Sequence, residues 1–360
     1  MRKNFRESWN FNNMGSQIND SVILLGTRGS CPVSGNKFHK YGGATLSVLV
    51  RLGGRPLLID CGTGMLSLKK NLSSNEKRLP VLISHAHLDH ILGLAASSFM
   101  FESGNSLDIY GKTITGVVGN KANAGNADSN SNATGGDIAT QIGTLFSRPL
   151  WPVGLNVFPA KTIFHEIKIN NFNNDGSGSG GAGAPATGGS EIASSATAGS
   201  VMLNAPEGFT VRVLEGNHPG GVCIFRIEGA GGAGGISDVQ CAPKSLVYCS
   251  DCTLDDATFA RLKDFAKDCD LLICDGQYSE SEWPDYKDFG HSTWNTAVQL
   301  AKDCGAKRLR IVHHSPYRTD AELDAFQEVM SAMCEKYRAE AGRPDLYDFY
   351  FGYDGEEIIL

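Results

Sequence analysis

The segment Ser84-His85-Ala86-His87-Leu88-Asp89-His90 packs three imidazoles and a carboxylate into six positions. Imidazole nitrogens and carboxylate oxygens are the donors that zinc and its divalent neighbours accept, so this spacing is that of a metal site. The apolar run Pro80-Val81-Leu82-Ile83 ahead of it reads as a buried strand, and Ile91-Leu92-Gly93-Leu94-Ala95-Ala96 behind it as the start of a helix. The cluster thus sits at a strand-to-helix corner, where sites are commonly built on rigid elements. A dinuclear site needs more donors, and three qualify: His218 in Gly216-Asn217-His218-Pro219-Gly220-Gly221, just after a strand at 210–214; Asp251, after Leu246-Val247-Tyr248-Cys249-Ser250; and His313, after Leu309-Arg310-Ile311-Val312. Each alone is a weak signal, since an Asp at a strand end commonly caps a turn. Their shared placement after strands is the stronger one.

The elements that must position these groups follow from periodicity. Segments 22–26, 46–52, 56–60 and 80–84 read as successive strands, with Gly53-Gly54 turning the second into the third. Helical patterns fall at 64–72 and from Ile91. Strands return at 208–214, 222–227, 245–250 and 270–274, and helices at 255–267, 292–303 and 320–340. This alternation predicts an α/β protein. Three stretches, 116–137, 170–200 and 229–235, consist largely of Gly, Ala, Ser, Thr and Asn. Such composition offers little apolar surface to offset the entropy of ordering, so they are expected to be flexible insertions. The expected organisation is a polar N-terminal extension over 1–20 and one domain over 21–360.

Composition narrows the function. A chain of 360 residues with 41% hydrophobic content can bury a sizeable core, while a formal charge of −7 and a pI near 5.7 argue against the extended cationic surface that long nucleic acid requires. A small substrate is expected. Met1-Arg2-Lys3 leads into an Asn-rich polar segment without an apolar signal core, and no run reaches membrane-spanning length, which predicts a cytoplasmic protein with no membrane partner. Of the ten cysteines, Cys223, Cys249 and Cys274 lie in apolar strands and are expected to be reduced core residues. The C-x-x-C spacing of Cys249 and Cys252 lacks the second pair of a zinc knuckle.

With these residues in place, the chain resembles the metallo-β-lactamase superfamily, whose pattern is His-x-His-x-Asp-His followed by His, Asp and His in later strand-end loops. It looks most like the phosphodiesterase branch containing tRNase Z, through Tyr41-Gly42-Gly43-Ala44-Thr45, Leu58-Ile59-Asp60-Cys61-Gly62-Thr63-Gly64, Asp275-Gly276-Gln277-Tyr278 and Gly290-His291-Ser292-Thr293-Trp294. The resemblance implies a four-layer αββα sandwich and two divalent metals, zinc first and manganese or iron as alternatives. It implies that His85, His87 and His218 hold one metal, Asp89, His90 and His313 the other, and that Asp251 bridges them. His314 is the alternative to His313, although the family's Thr-His-x-Ser pattern aligns better with the latter. Asp60 would orient a ligand imidazole, or simply cap a turn.

The resemblance also implies the reaction: hydrolysis of a phosphodiester by a hydroxide shared between the metals, with His291 protonating the leaving group and Asp275 orienting His291. Alternatively, Ser292 or Thr293 caps the following helix and His291 is a passive neighbour. Asn217 and Arg28 are candidate substrate contacts, Arg28 toward a phosphate or else as a salt-bridge partner. A small phosphodiester or cyclic nucleotide is the expected substrate. The alternatives are a tRNA 3′-processing endonuclease, a lactone, thioester or β-lactam hydrolase, and an inactive metal-bound scaffold. Family members often form homodimers, and here no exposed apolar stripe marks such an interface.

Overall fold

Two seven-stranded sheets carry the chain in a computed structural model, which describes residues 20–114, 136–169, 199–204, 206–229, 243–342 and 347–360. The first sheet holds β1 (Ser21–Gly26), β2 (Ser47–Leu52), β3 (Arg55–Ile59), β4 (Arg78–Leu82), β5 (Ser106–Lys112), β6 (Lys161–Ile167) and β14 (Glu356–Ile359), in the order β14-β1-β2-β3-β4-β5-β6. The second holds β7 (Ser200–Met202), β8 (Phe209–Gly216), β9 (Val222–Gly229), β10 (Ser245–Cys249), β11 (Leu271–Asp275), β12 (Arg308–Val312) and β13 (Asp348–Phe351), in the order β13-β12-β11-β10-β9-β8-β7. Each sheet joins an antiparallel part to a parallel one: β3 to β6 are parallel in the first, and β10 to β13 in the second.

The helices are α1 (Leu88–Ile91), α2 (Ile138–Leu145), α3 (Asp256–Phe265), α4 (Trp283–Tyr286), α5 (Trp294–Cys304) and α6 (Asp320–Ala341). Three apolar cores separate four layers. One lies between the sheets, joining Val48, Val50 and Ile59 to Phe225, Tyr248 and Ile273. A second packs α3, α5 and α6 on the outer face of the second sheet, and the third packs α2 and short 3-10 turns on the outer face of the first. This is the expected αββα sandwich. Strand β11, Leu271-Leu272-Ile273-Cys274-Asp275, is buried at every position, as a central parallel strand covered on both faces must be. Helix α6 starts on a capping box between Thr319 and Glu322 and stops at Gly342, whose φ of 62° takes the left-handed conformation that terminates helices.

The helix expected at 64–72 is a 3-10 helix, Thr63–Asn71. Close packing against β1 leaves it little room, since a Cβ on Gly64 would stand 2.6 Å from the Gly26 nitrogen. Strands β5, β6, β13 and β14 and helix α2 carried no sequence signal clear enough to predict. The insertions expected at 116–137, 170–200 and 229–235, and the extension at 1–20, lie mostly outside the described residues. Their edges belong to regular structure: Asp137 accepts from Thr140 N to cap α2, Ser200 opens β7 and Gly229 closes β9. Nine cysteines are described; all are free, and all but Cys31 are buried. No described helix is long and apolar enough to cross a membrane.

Candidate metal centre

Strands β3, β4, β8, β10, β11 and β12 end at one edge of the sandwich, and the end of each or the loop after it delivers a polar side chain to a common pocket. Ligand sites of open α/β sheets form at such carboxyl ends. Three of the delivering residues, Asp60 (φ 56°), Asp251 (φ 51°) and His313 (φ 60°), adopt the left-handed backbone region that non-glycine residues seldom occupy. Backbone strain of this kind concentrates at functional sites, and here it accompanies three side chains of the pocket. The neighbouring chain is trimmed to fit: a Cβ on Gly29 would lie 2.3 Å from the His313 ring.

Three groups of donor atoms converge, two of them around Asp251: His85, His87, His218 and Asp251 in one, Asp89, His90, Asp251 and His313 in the other, while Asp275, His291 and His313 form a smaller third, each set lying within 4.8 Å. Asp251 belongs to both of the larger groups. The separations are His85 Nε2 to His87 Nδ1 2.9 Å, His218 Nε2 to His87 Nδ1 3.2 Å, His90 Nε2 to Asp251 Oδ1 3.3 Å, and His313 Nε2 to Asp89 Oδ2 and Asp251 Oδ2 3.1 Å each. Ligands on one tetrahedral zinc with bonds of about 2.0–2.1 Å stand roughly 3.3 Å apart, so both groups have the spacing a divalent cation requires. The tautomers fit as well. His90 Nδ1 donates to Asp60 Oδ2 at 2.8 Å and His218 Nδ1 to Gly290 O at 2.9 Å, which leaves each Nε2 lone pair facing the pocket. His90 Nε2 is buried with no hydrogen-bond partner.

Electrostatics divides the two groups. Burial pushes the pKa of His85 and His87 down, and that of His218 down to about 4, so these imidazoles are neutral at pH 7 with lone pairs ready to donate. Burial also opposes charge on His90 and His313, but the facing carboxylates win. Asp251, Asp89 and Asp60 lift His90 well above its usual value, and Asp251 with Asp89 lifts His313 to about 10. In return, His313 and His90 hold Asp251 well below the usual carboxylate range despite its burial, and Asp89 is lowered likewise. These carboxylates draw positive charge into the pocket, as protons on His90 and His313 or as a divalent cation in their place.

The flanking residues complete the picture. Asp60 lies between two parts of the site: Oδ1 accepts from Ser84 N and Oδ2 accepts from His90 Nδ1. The Tyr248 hydroxyl also donates to Asp60 Oδ2, at 2.6 Å, across the interior from β10. Sequence reasoning missed Tyr248, because a Tyr inside an apolar strand reads as core. It missed Ser30 too, whose backbone N–H donates to Asp89 Oδ2 at 2.7 Å. His291 Nδ1 lies 2.9 Å from Asp275 Oδ2, and its ring stacks 4.8 Å from that of His313. Thr293 caps α5 by accepting from Thr296 N, while Ser292 donates to Cys252 O and accepts from Leu254 N. The capping role and the His291–Asp275 pair therefore coexist.

Two expectations change. Arg28 is fully buried and its guanidinium donates to the carbonyls of Gly42, Ser315 and Arg318, so it knits loops beneath the site and is not available to a substrate phosphate. His314 turns away from the pocket, with Nε2 2.8 Å from Gly352 O, and burial lowers it to about 3; His313 is the one that faces the carboxylates. Asn217 stands at the pocket rim next to His218, with Nδ2 donating to Asp255 Oδ2.

Known proteins share this fold. The Beta-lactamase superfamily domain matches residues 190–314 and the family described as Anti-Pycsar protein Apyc1 matches residues 33–115. Over 94% of this chain and 99% of the other, the fold is that of the short form of human tRNase Z (TM-score 0.56, 20% identity) and of the metallo-β-lactamase fold protein YhfI from Bacillus subtilis (TM-score 0.54, 18% identity). A ribonuclease Z of Lachnospira eligens is 23% identical over 308 residues, covering 82% of this chain and 87% of that protein. A ribonuclease Z of Thermoplasma volcanium is 38% identical over 77 residues, a match that spans 24% of its length and 21% of this chain. The chain has the metallo-β-lactamase fold.

Proposed function

We propose that this protein is a dinuclear metal phosphodiesterase acting on a small phosphodiester such as a cyclic nucleotide, with zinc as the first candidate metal. The observation that carries the reading is the pairing of two donor groups through Asp251, with the hydrogen-bonded pair His291–Asp275 set beside His313 in the same pocket. When bound, two divalent cations supply the charge that acidifies an attacking water and neutralises phosphate oxygens. The protein supplies the rest. Asp251 sets the two donor groups side by side, and Asp60 holds the His90 ring so that Nε2 faces inward. Asp275 accepts from His291 Nδ1, which leaves Nε2 as the nitrogen that delivers a proton to the departing alkoxide. Acyl hydrolysis would give the His291–Asp275 pair no evident task.

A second reading, cleavage of an RNA, is favoured by the ribonuclease Z relatives. The formal charge of −7 weighs against it, because gripping a polyanion takes clustered Lys and Arg. The test is hydrolysis of bis(p-nitrophenyl) phosphate, 2′,3′- and 3′,5′-cyclic nucleotides and an unprocessed tRNA with zinc or manganese, beside an Asp251→Ala control. Turnover of the small diesters, lost in the control, is expected. Cleavage of the tRNA alone would favour the second reading, and silence on every phosphodiester would point to acyl substrates.

A further inference from the structure

A cavity of about 730 Å³ opens beside the metal centre, within the roughly 300–1,000 Å³ typical of small-molecule sites. Three segments wall it: the loop after β8 with Asn217 and His218, the start of α3 with its cap Asp255 and first residue Asp256, and α4 with its 3-10 extension, with Trp283, Lys287 and Asp288. His218 and Gly290, hydrogen-bonded to each other, are lining residues, so an occupant of the cavity lies against a residue of the metal-donor set. Gly290 lets the loop pack directly on His218; at its φ of 86° a Cβ would lie 2.2 Å from His218 Nδ1.

The lining is a poor host for phosphate. Three carboxylates, Asp255, Asp256 and Asp288, face one cation, Lys287. Asp255 is already committed, taking Thr258 N at the start of α3 and Asn217 Nδ2. Asp256 and Asp288 have no ion-pair partner among the described residues. Free carboxylates accept hydrogen bonds, so they suit hydroxyl and amino groups. Trp283, half-buried, is the aromatic wall, and an indole face stacks any nucleobase.

We infer that this cavity receives the nucleoside part of the substrate, with the base against Trp283 and sugar hydroxyls or ring amines toward Asp256 and Asp288, while the phosphodiester lies at the metal donors. The inference rests on the phosphodiesterase reading and sharpens it. A nucleotide with a single phosphodiester fits, whereas a following chain of phosphates would run into like charge.

The test is calorimetric titration of the zinc-loaded protein and its Trp283→Phe and Trp283→Ala variants with adenosine, uridine and inorganic phosphate. Nucleosides should bind the native protein and the Phe variant, and bind the Ala variant about tenfold more weakly, the scale of one lost base stack. Phosphate should bind all three alike. Absence of nucleoside binding to the native protein, unchanged binding to the Ala variant, or a parallel loss of phosphate would each overturn the inference. In turnover, Trp283→Ala should raise KM for cyclic nucleotides about tenfold with kcat nearly unchanged. If nucleosides bind through Trp283 but no phosphodiester is cleaved, the reaction reading fails and the nucleoside site stands. If phosphodiesters are cleaved but nucleosides ignore Trp283, the reverse holds.

Discussion

The two donor groups are built from the same residue types yet hold their imidazoles in different protonation states. The group of His85, His87 and His218 consists of imidazoles whose burial keeps them neutral, and it offers lone pairs without first giving up protons. The group of Asp89, His90 and His313 sets two imidazoles against the carboxylates of Asp89, Asp251 and Asp60, which hold protons on them. One group is ready for a cation and the other must exchange protons for it. The difference comes from the number of carboxylates within reach, three around His90 against one, Asp251, beside His85. It predicts two metal sites of unequal affinity and unequal pH dependence.

The change that should erase the comparison is Asp251→Ala, because Asp251 belongs to both groups. Loss of activity should exceed the roughly 10–100-fold that a carboxylate supporting a ligand is worth, and elemental analysis should find metal depleted at both sites. Retention of two metals per chain would show that Asp251 does not link the groups. His291→Ala should act on neither group. It should leave metal content intact while lowering the rate about 10²–10⁴-fold on a diester with a poor leaving group, and much less on a p-nitrophenyl ester. An equal loss on both esters would remove His291 from the acid role.

Asp60→Asn should separate the two groups. Asp60 accepts directly from His90 Nδ1 and reaches the other group only through the Ser84 hydroxyl beside His85, so metal affinity should fall about 10–100-fold at the carboxylate-rich group and much less at the other. Stepwise binding measured by calorimetry would reveal it, and a uniform fall at both steps would contradict the asymmetry. Tyr248→Phe, which removes a 2.6 Å hydrogen bond to the same carboxylate, should move in the same direction by a smaller factor.

The smallest and most graded effect is that of pH on the chelator-treated protein. His313 is raised to about 10, so it contributes stability that is complete below pH 6.5 and is lost as pH rises through about 10. His218 is lowered to about 4, so its contribution is complete above pH 6.5 and is lost as pH falls through about 4. Thermal melts on both flanks should therefore decline for different reasons, with His313→Gln flattening the alkaline limb and His218→Gln the acid one. Zinc addition at pH 7 should release protons, chiefly from the carboxylate-rich group. A titration with no proton release would mean that His90 and His313 are neutral there.

Much of this protein was legible in the chain. Alternating apolar segments marked the main strands, and the donors His85, His87, Asp89, His90, His218, Asp251 and His313 all stood directly after such segments, because strand ends in an α/β sandwich project side chains at one edge. Chemistry-bearing residue types and their distance from a strand are local properties, which sequence carries. Partners are not local. That Tyr248 reaches Asp60 from the opposite sheet, that Arg28 is spent on the carbonyls of Gly42, Ser315 and Arg318, and that His313 and not His314 enters the pocket depend on which segments pack together. Protonation was equally hidden, since His218 and His313 are one residue type whose pKa values diverge to about 4 and about 10 through burial and neighbouring carboxylates. The sequence by itself determined which donor side chains this protein offers; only the tertiary structure decided their charge, aim and company, because those are set by contacts between residues far apart along the chain.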